Sequence, residues 1–191
     1  REERLNLHSI KLMKRTEFQD ESENDRCLLM HRLLSHKLSS RFEETFKLCT
    51  CLLALQNLQE PAKAIQNAFD HLHSGGRFLS VINHPCFRIP RQSSWGHDEE
   101  KKIQYRRIDR YTSSLKIPIA ASPSKGALSE TTLSFHHPLE AWMNWLNKAG
   151  FYLETLEEWC SDKTSTGGRA RQENRARREI PLFLAFVARK L

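Results

Sequence analysis
No glycine precedes Gly75, so the earlier part of the chain holds no loop in which a bare backbone could close around a ligand. No apolar run approaches the roughly 20 residues that span a bilayer, which argues against a membrane helix. No signal peptide opens the chain, because Arg1-Glu2-Glu3-Arg4 is charged and no apolar core follows it. The first residue is not Met, which is consistent with a fragment or a processed product. The five cysteines, Cys27, Cys49, Cys51, Cys86 and Cys160, are odd in number and scattered. That pattern speaks against a disulfide scaffold and for a reducing compartment, with the cytoplasm as the default. There is no internal repeat, and no Ser-His-Asp or Cys-His signature for nucleophilic catalysis.

What is present suits a globular protein. At 191 residues the chain is one domain's worth, long enough to bury a sizeable core. The formal charge of +7 could recruit an acidic partner such as RNA or DNA. Two segments hold most of the excess. Residues 88–110 carry seven Lys/Arg against four Asp/Glu, and residues 161–179 carry six against three, so each contributes +3. A solvated surface with mobile basic loops explains the same charge.

The chain is organised around residues 51–87. Cys51 to Leu55 is apolar and short, as a buried strand should be, and Gln56 to Glu60 forms a loop. Pro61 suits a first helical position, where its missing N–H costs nothing. Ala64, Ile65, Ala68, Phe69 and Leu72 then recur at helical spacing. Ser74-Gly75-Gly76 is expected to stop that helix, and Phe78 to Ile82 to form a second strand. Strand, helix and strand in this order predict a parallel βαβ unit, with ligands at the carboxyl ends of its strands. Those ends are Gln56-Asn57 and Asn83-His84-Pro85-Cys86-Phe87.

The same residues, LALQNLQEP…AFDHLHSGGRFLSVINHPCF, resemble the middle of a class I S-adenosylmethionine (SAM)-dependent methyltransferase of the type 11-like kind. They match that family's fourth strand, next helix, Gly-Gly turn and fifth strand. FHHPLEAWMNWLNKAGF, LETLEEW and EIPLFLAFVARK fit the remainder, so the resemblance covers the carboxyl-terminal two thirds, about residues 35–191. It implies an α/β fold, a Rossmann-like sheet incomplete at its amino-terminal side, with residues 1–34 set apart as a poorly defined segment. It also implies SAM as methyl donor and an acceptor that is a small molecule or RNA. By the resemblance, Ala54, Leu55, Gln56 and Asn57 lie against the cofactor, while Asn83, Phe87, Trp95 and Tyr105 face the acceptor. His84 would remove a proton from that acceptor, its ordinary pKa lying near neutrality. A structural hydrogen bond at the strand end is the competing role for His84.

The sequence departs from the family in four places, one being that the ribose-gripping acidic residue at the end of the family's second strand has no counterpart. The glycine-rich loop that holds the cofactor's methionine end is missing, Ser35 stands where an adenine-contacting Asp is usual, and Lys47 replaces another Asp. These departures favour a second function, a catalytically inactive methyltransferase-like binding domain.

The remaining chain fills in the fold. Helices are expected around Leu5 to Met13 and Leu28 to Leu34, separated by an acidic loop. Cys49 and Cys51 share a strand face and suit burial better than a metal, since no partner pair has zinc-site spacing. Residues 88–128 form a long insertion expected to act as a lid, in which Ile103 to Tyr111 mixes aromatic and basic residues suited to stacking a base. Thr131 to Phe135 is a short strand. Pro138 opens a helix closed by Gly150, and His136-His137 before it could orient a substrate or a metal, with packing at a surface helix start as the preferred reading. Phe151 to Trp159 is the sixth strand of the family's sheet and Ser161 to Arg178 a flexible hairpin tip. Ile180 to Ala188 is a strand buried on both faces, antiparallel between the fifth and the sixth.

Overall fold
The computed structural model describes residues 45–120 and 131–191. The expected helices before residue 35, the Ser35 position and the far end of the insertion lie outside these residues. In the described part, β1 (Phe46–Leu52), α1 (Pro61–His71) and β2 (Leu72–Asn83) follow in order. β1 and β2 pair in parallel, from Leu48 opposite Arg77 to Leu52 opposite Val81. The sheet continues through β8 (Phe183–Lys190) to β7 (Phe151–Trp159), in the order β1-β2-β8-β7. β8 is antiparallel to both neighbours, as expected for the seventh strand of the family sheet. Its near-continuous apolar run is buried from Leu184 to Ala188 because both faces of the sheet are covered there.

Three local expectations need correction. The first strand ends at Leu52, and the apolar residues after it turn rather than extend. Leu53 takes φ 54, and Leu55–Asn57 form a single 3-10 turn. The turn holds because Leu53 N–H donates to Val81 O at 2.7 Å, while Gln56 Nε2 and Asn57 Nδ2 both donate to Leu53 O. Gly75-Gly76 does not stop α1. The helix ends at His71, and Leu72 is already extended, with ψ 142. The glycines instead absorb an irregularity in β2, whose register against β1 shifts between Phe46 and Leu48. Gly75 takes φ 82, and a Cβ on Gly76 would meet His73 O at 2.9 Å. Residues after Gly168 are not a hairpin tip either, since Ala170–Glu179 form a helix, α3. Its residues are strong helix formers, with Glu173 in the first turn and Arg177-Arg178 in the last, each matching the helix dipole.

The remaining elements surround the sheet. Residues 88–120 contain a hairpin, β3 (Ser93–Asp98) with β4 (Ile103–Ile108), and then β5 (Leu115–Ala120). β5 pairs antiparallel with β6 (Thr131–His136), which leads into α2 (Leu139–Ala149). α2 buries Trp142, Leu146 and Ala149 at helical spacing, and Gly150 closes it at φ 95. α1 contributes Ile65 and Ala68 to the core, and its Phe69 meets Phe151 of the sheet edge-on at 5.1 Å, while Phe78 lies between Phe151 and Phe186. Cys49 and Cys51 are both buried, their thiols pushed up to about 12 and about 11 by loss of solvent, as ordinary core cysteines are. Among the described residues no helix is long and apolar enough to cross a membrane.

Candidate functional site
Parallel pairing brings the two strand tips to the same end of the sheet, and the chain leaving β2 lines the cleft there through Pro85, Arg88 and Pro90. The tips share a cleft of about 270 Å³, part of it open to solvent. Gln56 from the 3-10 turn and Asn83 from the end of β2 line it, so the two stretches singled out as ligand-bearing meet at one place. The opposite wall is the β6–α2 junction, with Ser134, His136, His137 and Trp142. Ser134 Oγ lies 3.5 Å from Gln56 O, linking the two walls.

Two polar atoms in this cleft are buried without a partner. Gln56 is 8% exposed; its Nε2 is engaged by Leu53 O, but its Oε1 accepts nothing. His137 Nδ1 lies 3.0 Å from Ser114 Oγ, while its Nε2 is buried and unbonded. Buried polar atoms in folded proteins almost always find partners, so two residues that line one cleft and each keep an unpartnered atom are the candidates there for meeting a ligand. The His137 ring is held by the edges of Trp142 and Trp145, with centroids 6.0 and 4.8 Å away. Trp142 Nε1 donates to the His137 carbonyl at 3.2 Å. The tryptophans are therefore core packing that also fixes a cleft histidine.

His84 is differently placed. It is 1% exposed and lies outside the cleft lining. Its Nδ1 accepts the Cys86 N–H at 3.1 Å, so its Nε2 carries the proton and donates to Glu158 Oε1 at 2.7 Å. With both nitrogens engaged, the geometry favours the structural role at the strand end. Phe87 packs on the His84 ring at 4.8 Å, and its carbonyl accepts Arg106 Nε at 2.7 Å.

The other candidates scatter. Leu55 is buried in the core, Asn57 is exposed and spent on Leu53 O, and Ala54 is half-buried at the start of the 3-10 turn. Trp95 lies on the hairpin with Arg106 5.1 Å over its ring, and Tyr105 covers Gly96 from the neighbouring strand. Neither lines the cleft. Sequence reasoning passed over Arg88 and Ser134. Arg88 is the first charge beyond the β2 tip, a position that could have drawn attention to it. The two basic segments do adjoin, since α3 packs on β4. Much of their charge is neutralised locally, by Arg169 with Glu99, Arg107 with Asp109 and Arg177 with Glu173.

Burial lowers the pKa of all three histidines. For His84 loss of solvent outweighs the Glu158 contact; for His136 it outweighs the hydrogen bond to Tyr111 O; for His137 the neighbouring His136 adds to it. All three are therefore neutral near pH 7. Unfolding restores the ordinary value of 6.5, so below that pH the unfolded chain binds protons that the folded one refuses. Stability is then full above 6.5 and falls as the pH is lowered through the window beneath it. Urea midpoints measured in steps down from neutrality should decline, and the decline should shrink in His136→Asn. A flat profile would mean that these rings are solvated.

No protein-family model and no curated protein matches this sequence. Solved structures do. An S-adenosylmethionine-dependent methyltransferase from Mesorhizobium loti matches with a TM-score of 0.57 and 25% identity, covering 76% of this chain and 62% of that one. A Listeria monocytogenes protein named as a candidate enzyme of the same kind also gives 0.57, at 20% identity, over 78% of this chain and 62% of its own. The chain thus spans about three-fifths of the length of the solved structures it matches.

Proposed function
Because the described domain has the fold of the class I SAM-dependent methyltransferases, we propose that it takes part in methyl transfer from SAM to an acceptor held in the cleft. One observation carries this. Gln56 and Asn83, from the tips of two adjacent parallel strands, line one cleft that keeps unpartnered buried polar atoms. SAM brings its own sulfonium leaving group, so the protein's contribution is alignment and removal of a proton. The turn at Ala54, Leu55, Gln56 and Asn57 lies on the donor side, with Gln56 lining the cleft. Asn83 and His137 face the acceptor. In the tautomer whose Nδ1–H donates to Ser114 Oγ, His137 Nε2 offers a lone pair, and its lowered pKa keeps that lone pair available at neutral pH. His84 holds the β2 tip in place. Phe87, Trp95 and Tyr105 support the hairpin beside the cleft.

A concave cleft at the strand ends of an α/β sheet, rather than an open basic face, supports a small-molecule acceptor. RNA is the lesser alternative, supported by the meeting of the two basic segments where α3 packs on β4. The second reading, a binding domain without catalysis, draws on the lack of any glycine before Gly75. Calorimetry with SAM separates the two. Saturable binding that weakens in Gln56→Ala is expected, and no binding to the full-length protein would leave only the inactive domain. A cytoplasmic location fits the scattered cysteines.

A further inference from the structure
The cleft contains a positive charge and no negative one. Among the described residues Arg88 lines it, and no Asp or Glu does. The Arg88 backbone N–H donates to His84 O at 2.8 Å, which fixes the residue directly beyond the β2 tip. Its guanidinium lies 4.6 Å over the Phe183 ring and is half-buried. No hydrogen bond or ion pair to that guanidinium is present among the described residues. The second guanidinium in this region, Arg106, is spent on Phe87 O and Ser93 Oγ at 2.7 Å each and on the face of Trp95. Among the described residues it too has no carboxylate partner. The two cations are close enough that the charge of Arg88 disfavours that of Arg106. Partly buried like charges without a counter-ion are costly, and a bound anion relieves the cost.

We propose that the acceptor carries an anionic oxygen group, a carboxylate or a phosphate, which Arg88 grips from the cleft wall with the Asn83 amide beside it. This rests on the methyltransferase reading for the word acceptor, but the anion site itself does not. Arginine suits the role because its planar fork meets both oxygens of such a group at once, and ring stacking leaves the fork's edge free. The anion then serves as an anchor. It places the rest of the acceptor toward His137, away from the guanidinium.

The test uses the full protein labelled with nitrogen-15, without SAM, at fixed ionic strength. Inorganic phosphate and benzoate are titrated separately while the arginine Nε–H signals are followed. The Arg88 signal should move saturably with at least one of them, and which one identifies the group. Affinity should fall at least about tenfold in Arg88→Met, the usual cost of losing a charge-assisted pair. It should be unchanged in Arg107→Gln, a residue that lies outside the cleft and pairs with Asp109. Arg88→Lys, which retains charge but not the fork, should be intermediate. A wild-type Arg88 signal that neither anion moves would overturn the proposal, as would equal binding by Arg88→Met. So would competition between the anion and SAM, which would assign the guanidinium to the donor's own carboxylate. Anion binding without any SAM binding would remove the methyltransferase reading and leave the site standing.

Discussion
Trimming Trp142 to alanine is expected to lower the free energy of unfolding by about 3–5 kcal/mol, a large part of the 5–15 kcal/mol typical of a domain. The indole is 2% exposed, meets Trp145 edge-on at 5.2 Å and donates its Nε1–H to the His137 carbonyl. Its loss therefore leaves a cavity and an unpaired carbonyl together. Urea unfolding followed by circular dichroism would measure it. Trp142→Phe should recover most of the packing but not the hydrogen bond, and so fall between the two. A change below about 1 kcal/mol in the alanine variant would mean that α2 is not seated on the core as described.

The second large effect concerns chemistry. His137→Asn is expected to slow methyl transfer by about 10²–10⁴-fold, the range for losing a positioned general base, with stability nearly unchanged. The pH profile discriminates a chemical role from a packing one. Transfer by the wild type should persist to a pH below the ordinary histidine value of 6.5, since burial and His136 hold His137 beneath it. That acidic limb should vanish in the variant. His84→Asn should do the reverse, costing stability through the lost bonds to Glu158 and Cys86 while leaving the profile's shape intact. Label transfer from SAM in single-turnover mode measures both. If His84→Asn abolishes the limb and His137→Asn spares it, the roles are exchanged.

Much of the architecture was legible because local signals and tertiary context agree. Pro61 at the start of α1 and Gly150 at the end of α2 occupy positions that their own backbone chemistry demands. The near-continuous apolar run in β8 suits a strand covered on both faces. α3 was missed because only Ala176 in it is buried, so it has no apolar stripe, and its evidence lies in propensity and end charges alone. The Gly75-Gly76 pair was misassigned because glycine permits both a helix stop and a strand irregularity. The close approach of His73 O and Phe46 O decides between them.

The site divides in the same way. Amino-acid order determined that two polar strand ends, at Gln56-Asn57 and Asn83, follow two apolar strands joined by one helix, and parallel pairing then brought them side by side. The tertiary structure alone decided which groups confront the cleft. Gln56 and His137 each kept one buried atom without a partner where Asn57 spent its amide, His84 turned inward, and Arg88 came to line the cleft. The reason is physical. Strand and helix identity follow from spacing along the chain, whereas a side chain's availability depends on hydrogen bonds with residues far away in sequence, such as Glu158 for His84.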